Sequence, residues 1–144
     1  MSKYDRGLGR FTPQVVSLVR IVVGLLFLAH GTQKILGFPP SSSEGGGGGG
    51  DGLISTLAAY SGWFELIGGA LFAIGLFTRP VAFVLCGMMA VAYWGAHFPQ
   101  NPWPVNNGGD ASILYCFVFL LYVFIGAGPF SVDGVFNRRR PLRV

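Results

Sequence analysis

Four long apolar stretches, separated by short polar segments, dominate the pattern of the chain. They cover roughly residues 13–36, 57–77, 80–98 and 111–128. Each is about 18–24 residues long, the length that an α-helix needs to cross a hydrocarbon core of about 30 Å. The strands of a β-barrel would instead alternate in polarity over about ten residues, a pattern that these stretches lack. The sequence therefore predicts an all-α fold, a bundle of four transmembrane helices that forms a single domain over residues 1–144.

The segments between the apolar stretches are typical of turns and loops. Residues 37–52, GFPPSSSEGGGGGGDG, predict a flexible loop, because proline, serine and consecutive glycines do not hold a helix. The TRP sequence from Thr78 predicts a tight turn between the second and third helices. Residues 98–110 predict a loop that ends where Asp110 caps the fourth helix, and a basic tail, 134–144, closes the chain.

The composition supports a membrane protein. Hydrophobic residues make up 51% of the chain and charged residues only 11%, whereas a soluble domain carries about 25% charged residues. The basic pI of about 9.4 could indicate a nucleic-acid partner, but the chain has no nucleic-acid-binding motif and its basic residues flank apolar stretches. We therefore expect the lipid bilayer as a partner and no nucleic acid.

The distribution of lysine and arginine predicts the orientation in the membrane. One set flanks the predicted helices on a single side: Lys3, Arg6, Arg10, Arg79, Arg138, Arg139, Arg140 and Arg143. The two loops on the opposite side offer only Lys34. The positive-inside rule then places both termini in the cytoplasm, as in a multi-pass protein of the bacterial inner membrane. The first helix lacks an Ala-x-Ala cleavage site, so it is expected to be retained.

Glu65 is the only charged residue within the second apolar stretch. Small residues one turn away on either side favour a close helix–helix contact, which places Glu65 against the first helix. A charge near the middle of the membrane costs about 2.5–3.5 kcal/mol. Two arrangements would offset this cost: a structural ion pair with Arg20, or a protonated carboxyl group bonded to His30 or Tyr93. The first could serve only to fix the register of the helices.

Several polar side chains are expected to lie toward the outer end of the bundle, given a helical rise of about 1.5 Å per residue. They predict a polar chamber that opens outward. The chamber comprises His30, Lys34, Glu65, Tyr93, His97, Asp110 and Tyr115. Two histidines at similar depth on different helices are also an arrangement that holds a haem or a metal. No HxxxH, CxxC or Glu-x-x-His motif accompanies them, so no metal site is predicted and haem is the less favoured alternative.

The two cysteines are predicted to be unconnected. Cys86 and Cys116 fall about 10 Å and about 22 Å from the cytoplasmic side by helical rise. This difference in depth is too large for a disulfide. Both are flanked by apolar residues and are expected to act as inert packing residues, which argues against a thiol redox mechanism.

Specific stretches resemble the DoxX family of membrane proteins. LVRIVVGLLFLAHGTQKILGF resembles the family's opening signature, GWFELIGGALFAIGLFTRPVA its second-helix signature, and NNGGDASILY and GAGPFSVDG its fourth-helix entry and closing motif. The resemblance implies a four-helix bundle of the bacterial cytoplasmic membrane, with both termini inside. The family's motif positions correspond to Arg20, His30, Gly31, Lys34, Glu65, Gly69, Arg79, Pro80, Asp110 and Asp133.

The resemblance also implies a link to redox chemistry, since the family takes its name from a subunit associated with a thiosulfate:quinone oxidoreductase. The chain is then expected to be a membrane subunit in oxidative, sulfur or quinone stress metabolism. The chamber would hold a quinone headgroup. Glu65 and His30 would relay protons, and the quinone would be contacted by His30, Lys34, Tyr93, His97, Asp110 and Tyr115. Electrons would come from a soluble or membrane redox partner, because no flavin or iron–sulfur motif is present. Whether the chain is itself an enzyme is left open.

Two other functions fit the same residues. A non-enzymatic scaffold or adaptor is the first alternative, with the basic tail FNRRRPLRV as a contact for a partner or for anionic lipid. A small transporter is the second, for which a homo-oligomer would widen the pathway. Asp133 follows the Gly-Ala-Gly-Pro break after the fourth helix and is expected to cap the short segment there.

Overall fold

The computed structural model of this protein describes residues 7–40, 56 and 60–138. Within these residues the predicted all-helical fold is confirmed, and no strand is present. The helices are α1 (Thr12–Leu36), α2 (Tyr60–Ile74), α3 (Thr78–His97), α4 (Pro104–Asn107), α5 (Asp110–Ile125) and α6 (Val132–Arg138). Most of the predicted loop 37–52, the first residues of the predicted second helix and the tail from 139 onward lie outside the described residues.

Two of the long helices end in a glycine of left-handed conformation. Gly37 (φ 68°) ends α1, and its amide donates to the Gln33 carbonyl at 3.1 Å. Gly75 (φ 71°) ends α2, and the amides of Gly75 and Leu76 both donate to the Leu71 carbonyl at 3.0 Å. Glycine suits both positions because a side chain disfavours positive φ, and the extra bonds satisfy carbonyls that the helix leaves unpaired.

The turn between α2 and α3 comes earlier than predicted. It consists of residues 75–77, and α3 already begins at Thr78, so the prediction that TRP forms the turn is wrong. Proline is accepted in the first turn of a helix, where its missing N–H has no partner to lose. Phe77 precedes α3 with φ 50°, which makes it the only non-glycine residue of positive φ in the described ranges. At the same end of the bundle, α5 stops at Ile125 rather than at residue 128.

Each of α2 and α3 contains one π-helical turn. The turns cover Phe64–Gly68 in α2 and Tyr93–His97 in α3. A π turn accommodates an extra residue, so the side chains beyond it point in directions that a regular helix would not give them. Because Glu65 lies in the first turn, and Tyr93 and His97 in the second, the directions of these candidate residues differ from those that a 3.6-residue period predicts.

Four aromatic side chains form the centre of the bundle. Phe119 of α5 packs edge-on against Phe27 of α1 and Phe72 of α2, with ring centroids 5.0 Å apart in both pairs. Phe72 also packs edge-on against Tyr122 at 5.0 Å. Such edge-to-face pairs add about 0.5–1.5 kcal/mol each beyond the area they bury. The cluster therefore holds α1, α2 and α5 together in one core.

The surface of the bundle is more apolar than that of a soluble protein, and charged side chains are buried beside the aromatic core. Arg20 and Ser17 are completely buried, whereas Phe83 and Phe124 are 68% and 72% exposed. Large apolar side chains on the surface are the arrangement that a hydrocarbon solvent stabilises. The helices α1 and α3 are long and apolar enough to cross a membrane, while the described parts of α2 and α5 are apolar but shorter.

Candidate functional site

A buried ion pair joins α1 and α2. The Nζ atom of Lys34 donates to Oε1 of Glu65 at 2.6 Å and to the Ser61 hydroxyl oxygen at 3.0 Å. The Glu65 side chain is 6% exposed, whereas that of Lys34 is 42% exposed. The second carboxylate oxygen, Oε2 of Glu65, is buried and has no hydrogen-bond partner among the described residues. The pair thus leaves one carboxylate oxygen free to bind another group.

Close contact between the backbones of α1 and α2 brings the pair together. A Cβ atom added at Gly31 would lie 2.6 Å from Cα of Leu66 and 2.8 Å from the carbonyl carbon of Glu65. These distances are shorter than any ordinary contact, so the absence of a side chain at Gly31 allows the helices to touch. Lys34 lies three residues after Gly31 on the same helix face, and its side chain therefore reaches Glu65.

The predicted ion pair between Arg20 and Glu65 is wrong. Arg20 is completely buried, and its guanidinium donates, over 2.5 to 2.9 Å, to the backbone carbonyls of Phe72, Ala73, Ala127 and Phe130. Two of these carbonyls belong to the last turn of α2, where a helix leaves carbonyls unpaired and where a positive charge is favourable. The other two lie in the break after α5. Arg20 therefore binds the ends of two helices, at a level that Glu65 does not reach.

His30 and Tyr115 lie beside the ion pair but do not bond to it. The rings of His30 and Tyr115 pack edge-on with centroids 6.4 Å apart, and Tyr115 lies within electrostatic range of Glu65. His30 itself is exposed on α1. The predicted bond from Glu65 to His30 or Tyr93 does not form within the described residues: Lys34 bonds to Oε1, and Oε2 has no partner there.

Tyr93 and His97 form a second, separate group. Nδ1 of His97 lies 2.9 Å from the carbonyl oxygen of Asn107, and the Tyr93 ring would lie 2.7 Å from a Cβ atom added at Gly109. In the described ranges neither Tyr93 nor His97 has a hydrogen bond or ion pair with Glu65. These contacts therefore divide the predicted chamber into two groups: the Lys34–Glu65 pair with its neighbours, and the packing of the end of α3 on the segment around Asn107.

Two residues of these groups, Ser61 and Asn107, were not predicted from the sequence. Ser61, which receives a hydrogen bond from Lys34, lies four residues before Glu65 and could have been found from that helical spacing. Asn107 accepts the amide of Gly109 through its side chain at 2.7 Å, a turn that the NNGG sequence favours. The turn leads directly into α5. The N-cap residue of α5 is Gly109, and no side-chain hydrogen bond caps the helix there. The predicted capping role of Asp110, which is exposed, is therefore wrong.

Asp133 caps α3 rather than the short segment in which it lies, so the prediction for this residue is also wrong. Its carboxylate accepts the amides of Phe77 at 2.9 Å and Thr78 at 2.8 Å, and its own amide donates to the Gly75 carbonyl at 2.9 Å. These bonds satisfy the first N–H groups of α3 and hold Phe77 in its left-handed conformation. The closing motif thus fixes the turn between α2 and α3.

The bundle has two cavities that do not border the Lys34–Glu65 pair. One, of about 580 Å³, lies between the α2–α3 turn and the segment after α5, and its polar lining includes Arg79 and Asp133. The other, of about 460 Å³, is an apolar groove between α2 and α3, lined by side chains such as Phe64, Ile67 and Val84. Neither of these two cavities is lined by Glu65 or Lys34.

The chain matches the sequence model of a known protein family. The sequence model of the DoxX family matches residues 15–98, which contain α1, α2, α3 and both members of the ion pair. The chain belongs to the DoxX family. The resemblance expected from the motifs is thereby confirmed, and the chain is a membrane protein of the DoxX type.

A relative of known sequence aligns with almost the whole chain. An uncharacterized protein of Haemophilus influenzae is 38% identical over 135 residues, which are 92% of this chain and 98% of the relative. No solved structure matches the chain. The DoxX match ends before the closing motif, so Asp133 and the carbonyls of Ala127 and Phe130 that bind Arg20 lie outside it.

Replacement of Asp133 by asparagine is expected to lower the stability of this DoxX protein by about 1 kcal/mol, the usual value for a lost helix cap. An amide has one acceptor oxygen, so it cannot accept both amides at the start of α3. Thermal unfolding of the protein in detergent would measure the loss. Asp110→Asn is the control, since Asp110 is exposed and caps nothing; an equal decrease in both variants would contradict the assigned role of Asp133.

Proposed function

We propose that the protein is a redox-linked, quinone-associated membrane subunit, in which the Lys34–Glu65 pair meets a quinone headgroup and transfers protons to it. One observation carries the proposal: Oε2 of Glu65 is buried yet has no hydrogen-bond partner in the described structure. A buried polar atom without a partner costs about 1–3 kcal/mol. A site with a ligand would regain this energy when the ligand bonds to the free oxygen.

The exposure of the pair suits proton transfer. Reduction of a quinone to a hydroquinone takes up two protons for every two electrons, so a quinone site needs an acid that can exchange protons with its surroundings. Lys34 is 42% exposed and Glu65 only 6%, so a proton could pass along the pair from the surface of the bundle to the buried carboxylate. His30 and Tyr115, which lie beside the pair, are the further donors to the quinone carbonyls. A soluble or membrane redox partner would deliver the electrons.

The same proposal includes the placement in the membrane. The protein would be a single domain that crosses the inner membrane four times, through α1, α2, α3 and α5, with both termini in the cytoplasm. Its support is the apolar exterior of these helices together with the position of the basic residues along the chain. In this orientation the Lys34–Glu65 pair lies toward the periplasmic side, and Arg20 and Asp133 lie toward the cytoplasm.

Glu65→Gln is expected to weaken the binding of a short-chain quinone about tenfold or more, which corresponds to about 1.4 kcal/mol. The substitution keeps the shape of the side chain but removes its charge and its ability to take up a proton. Affinity can be measured on the purified protein in detergent from the quenching of tryptophan fluorescence, since Trp63 lies two residues from Glu65.

Glu44→Gln is the matched control for this experiment, because Glu44 is the only other glutamate of the chain and lies in the predicted loop 37–52. It is expected to bind the quinone as the unmodified protein does. Unchanged affinity in Glu65→Gln would contradict the proposal and would favour the scaffold or adaptor role. Loss of binding in both variants would mean that charge in general, and not the ion pair, determines the affinity.

A further inference from the structure

The two cysteines of the chain meet between α3 and α5. The Sγ atoms of Cys86 and Cys116 lie 3.6 Å apart, so the prediction that their depths separate them is wrong. The error came from the helix ends. Cys86 lies eight residues after the start of α3 and Cys116 nine residues before the end of α5, which gives similar depths of about 12 and 14 Å from that end of the bundle.

The surroundings of the pair make both thiols chemically available. Cys86 and Cys116 are free thiols and are partly exposed. Both lie at the edge of the aromatic core, on helices whose exposed side chains are apolar beyond the first turn, where Arg79 and Asp110 are exposed. Their exposed surface therefore faces the hydrocarbon phase and not water. A lipid-soluble reagent can reach such a pair, whereas polar thiols and disulfides of the cytoplasm are excluded from that phase.

We propose that Cys86 and Cys116 form a redox-active dithiol that a quinone dissolved in the membrane oxidises to an interhelical disulfide. In this step the two S–H bonds break and one S–S bond forms. The two electrons and two protons pass to the quinone, which becomes a hydroquinone. To form this bond the sulfur atoms need to approach from 3.6 Å to about 2.05 Å.

Quinone is the chemical class that fits this position. It is a two-electron, two-proton oxidant, which matches the stoichiometry of disulfide formation, and it resides in the phase that the thiols face. The inference shares with the proposed function only the choice of a quinone. It does not require a quinone to bind at Glu65, because oxidation needs only an encounter at the α3–α5 seam. The disulfide would link these two helices covalently and would limit their movement relative to each other.

The chain itself makes the test simple, since it contains only these two cysteines. The full-length protein in lipid vesicles is reduced, freed of reductant and treated with a short-chain quinone in the absence of oxygen. It is then denatured, and the remaining thiols are counted with a maleimide–polyethylene glycol reagent. We expect both thiols to disappear, the intact mass to fall by two hydrogen atoms, and one hydroquinone to appear for each disulfide. Added dithiothreitol should restore both thiols.

Three variants define the outcome. Cys86→Ser and Cys116→Ser should each keep their single thiol under the same treatment, and Glu65→Gln should form the disulfide as readily as the unmodified protein. The inference is overturned if two thiols remain in the unmodified protein after quinone treatment, or if the only disulfide formed joins two chains. Disulfide formation in a Glu65→Gln variant whose quinone affinity is unchanged would refute the proposed function and leave this inference intact.

Discussion

Replacement of Arg20 by methionine is expected to destabilise the protein by about 3 kcal/mol or more. Methionine fills part of the volume of the arginine stem but donates no hydrogen bond. Four backbone carbonyls would then lose this donor; the Phe72 carbonyl would keep the Gly75 amide, and each buried group left unsatisfied costs about 1–3 kcal/mol. Thermal unfolding in detergent, together with the yield of monodisperse protein, would measure the loss.

Arg79→Met is the matched control for Arg20→Met, because Arg79 is exposed at the start of α3. Its replacement should change the stability by no more than about 0.5 kcal/mol, as for most surface positions. Arg20→Lys is expected to fall between the two, since an ammonium group keeps the charge but cannot direct donors along the fork of a guanidinium. Equal unfolding temperatures for Arg20→Met and Arg79→Met would contradict the role given to the Arg20 bonds.

Substitution of Gly31 by alanine is expected to lower the stability by about 1–3 kcal/mol, the range for overpacked sites. The added methyl group would lie 2.6 Å from Cα of Leu66, and a backbone atom cannot move aside as a side chain can. The helices α1 and α2 must therefore separate, which would also lengthen the contact between Lys34 and Glu65. The free energy of unfolding and the quinone affinity should fall together.

Gly87→Ala should have the opposite effect on stability. A Cβ atom at Gly87 meets nothing within 4 Å, and Gly87 lies inside α3. Alanine in a helix interior is more stable than glycine by about 0.5–1 kcal/mol. The two substitutions make the same chemical change, so their opposite signs would isolate the helix contact as the cause. A stabilising effect of Gly31→Ala would show that α1 and α2 do not touch at Gly31.

The sequence was sufficient to predict the long helices, but not the short helix α4 within the predicted loop 98–110 or the partners of the polar residues. Helix formation follows from the length and the apolar character of each stretch, and both can be read from that stretch alone. Arg20, by contrast, binds carbonyls 107 and 110 residues further along the chain, and a backbone carbonyl carries no signature in the sequence. The sequence pointed to a carboxylate as the partner of Arg20, because a sequence shows which side chains are present but not which backbone groups lie near them.

Small errors at helix ends had large effects on predicted contacts. The shift of the start of α3 from Pro80 to Thr78, and of the end of α5 from residue 128 to Ile125, removes about 7.5 Å of the predicted difference in depth of about 12 Å between the cysteines. Each residue changes a depth by about 1.5 Å, so two or three residues decide whether two side chains can meet. The π turns add a further change of direction, one that apolar periodicity does not reveal.

The bonds of Arg20 also constrain how the protein is made. Its carbonyl acceptors at Ala127 and Phe130 lie 107 and 110 residues after it, so the ribosome synthesises them well after the arginine. During synthesis the first helix must therefore enter the bilayer with an arginine whose final contacts do not yet exist. Water, lipid headgroups or the insertion machinery must solvate the guanidinium during this interval. Assembly of the native bundle can finish only after the segment with these two carbonyls has left the ribosomal exit tunnel.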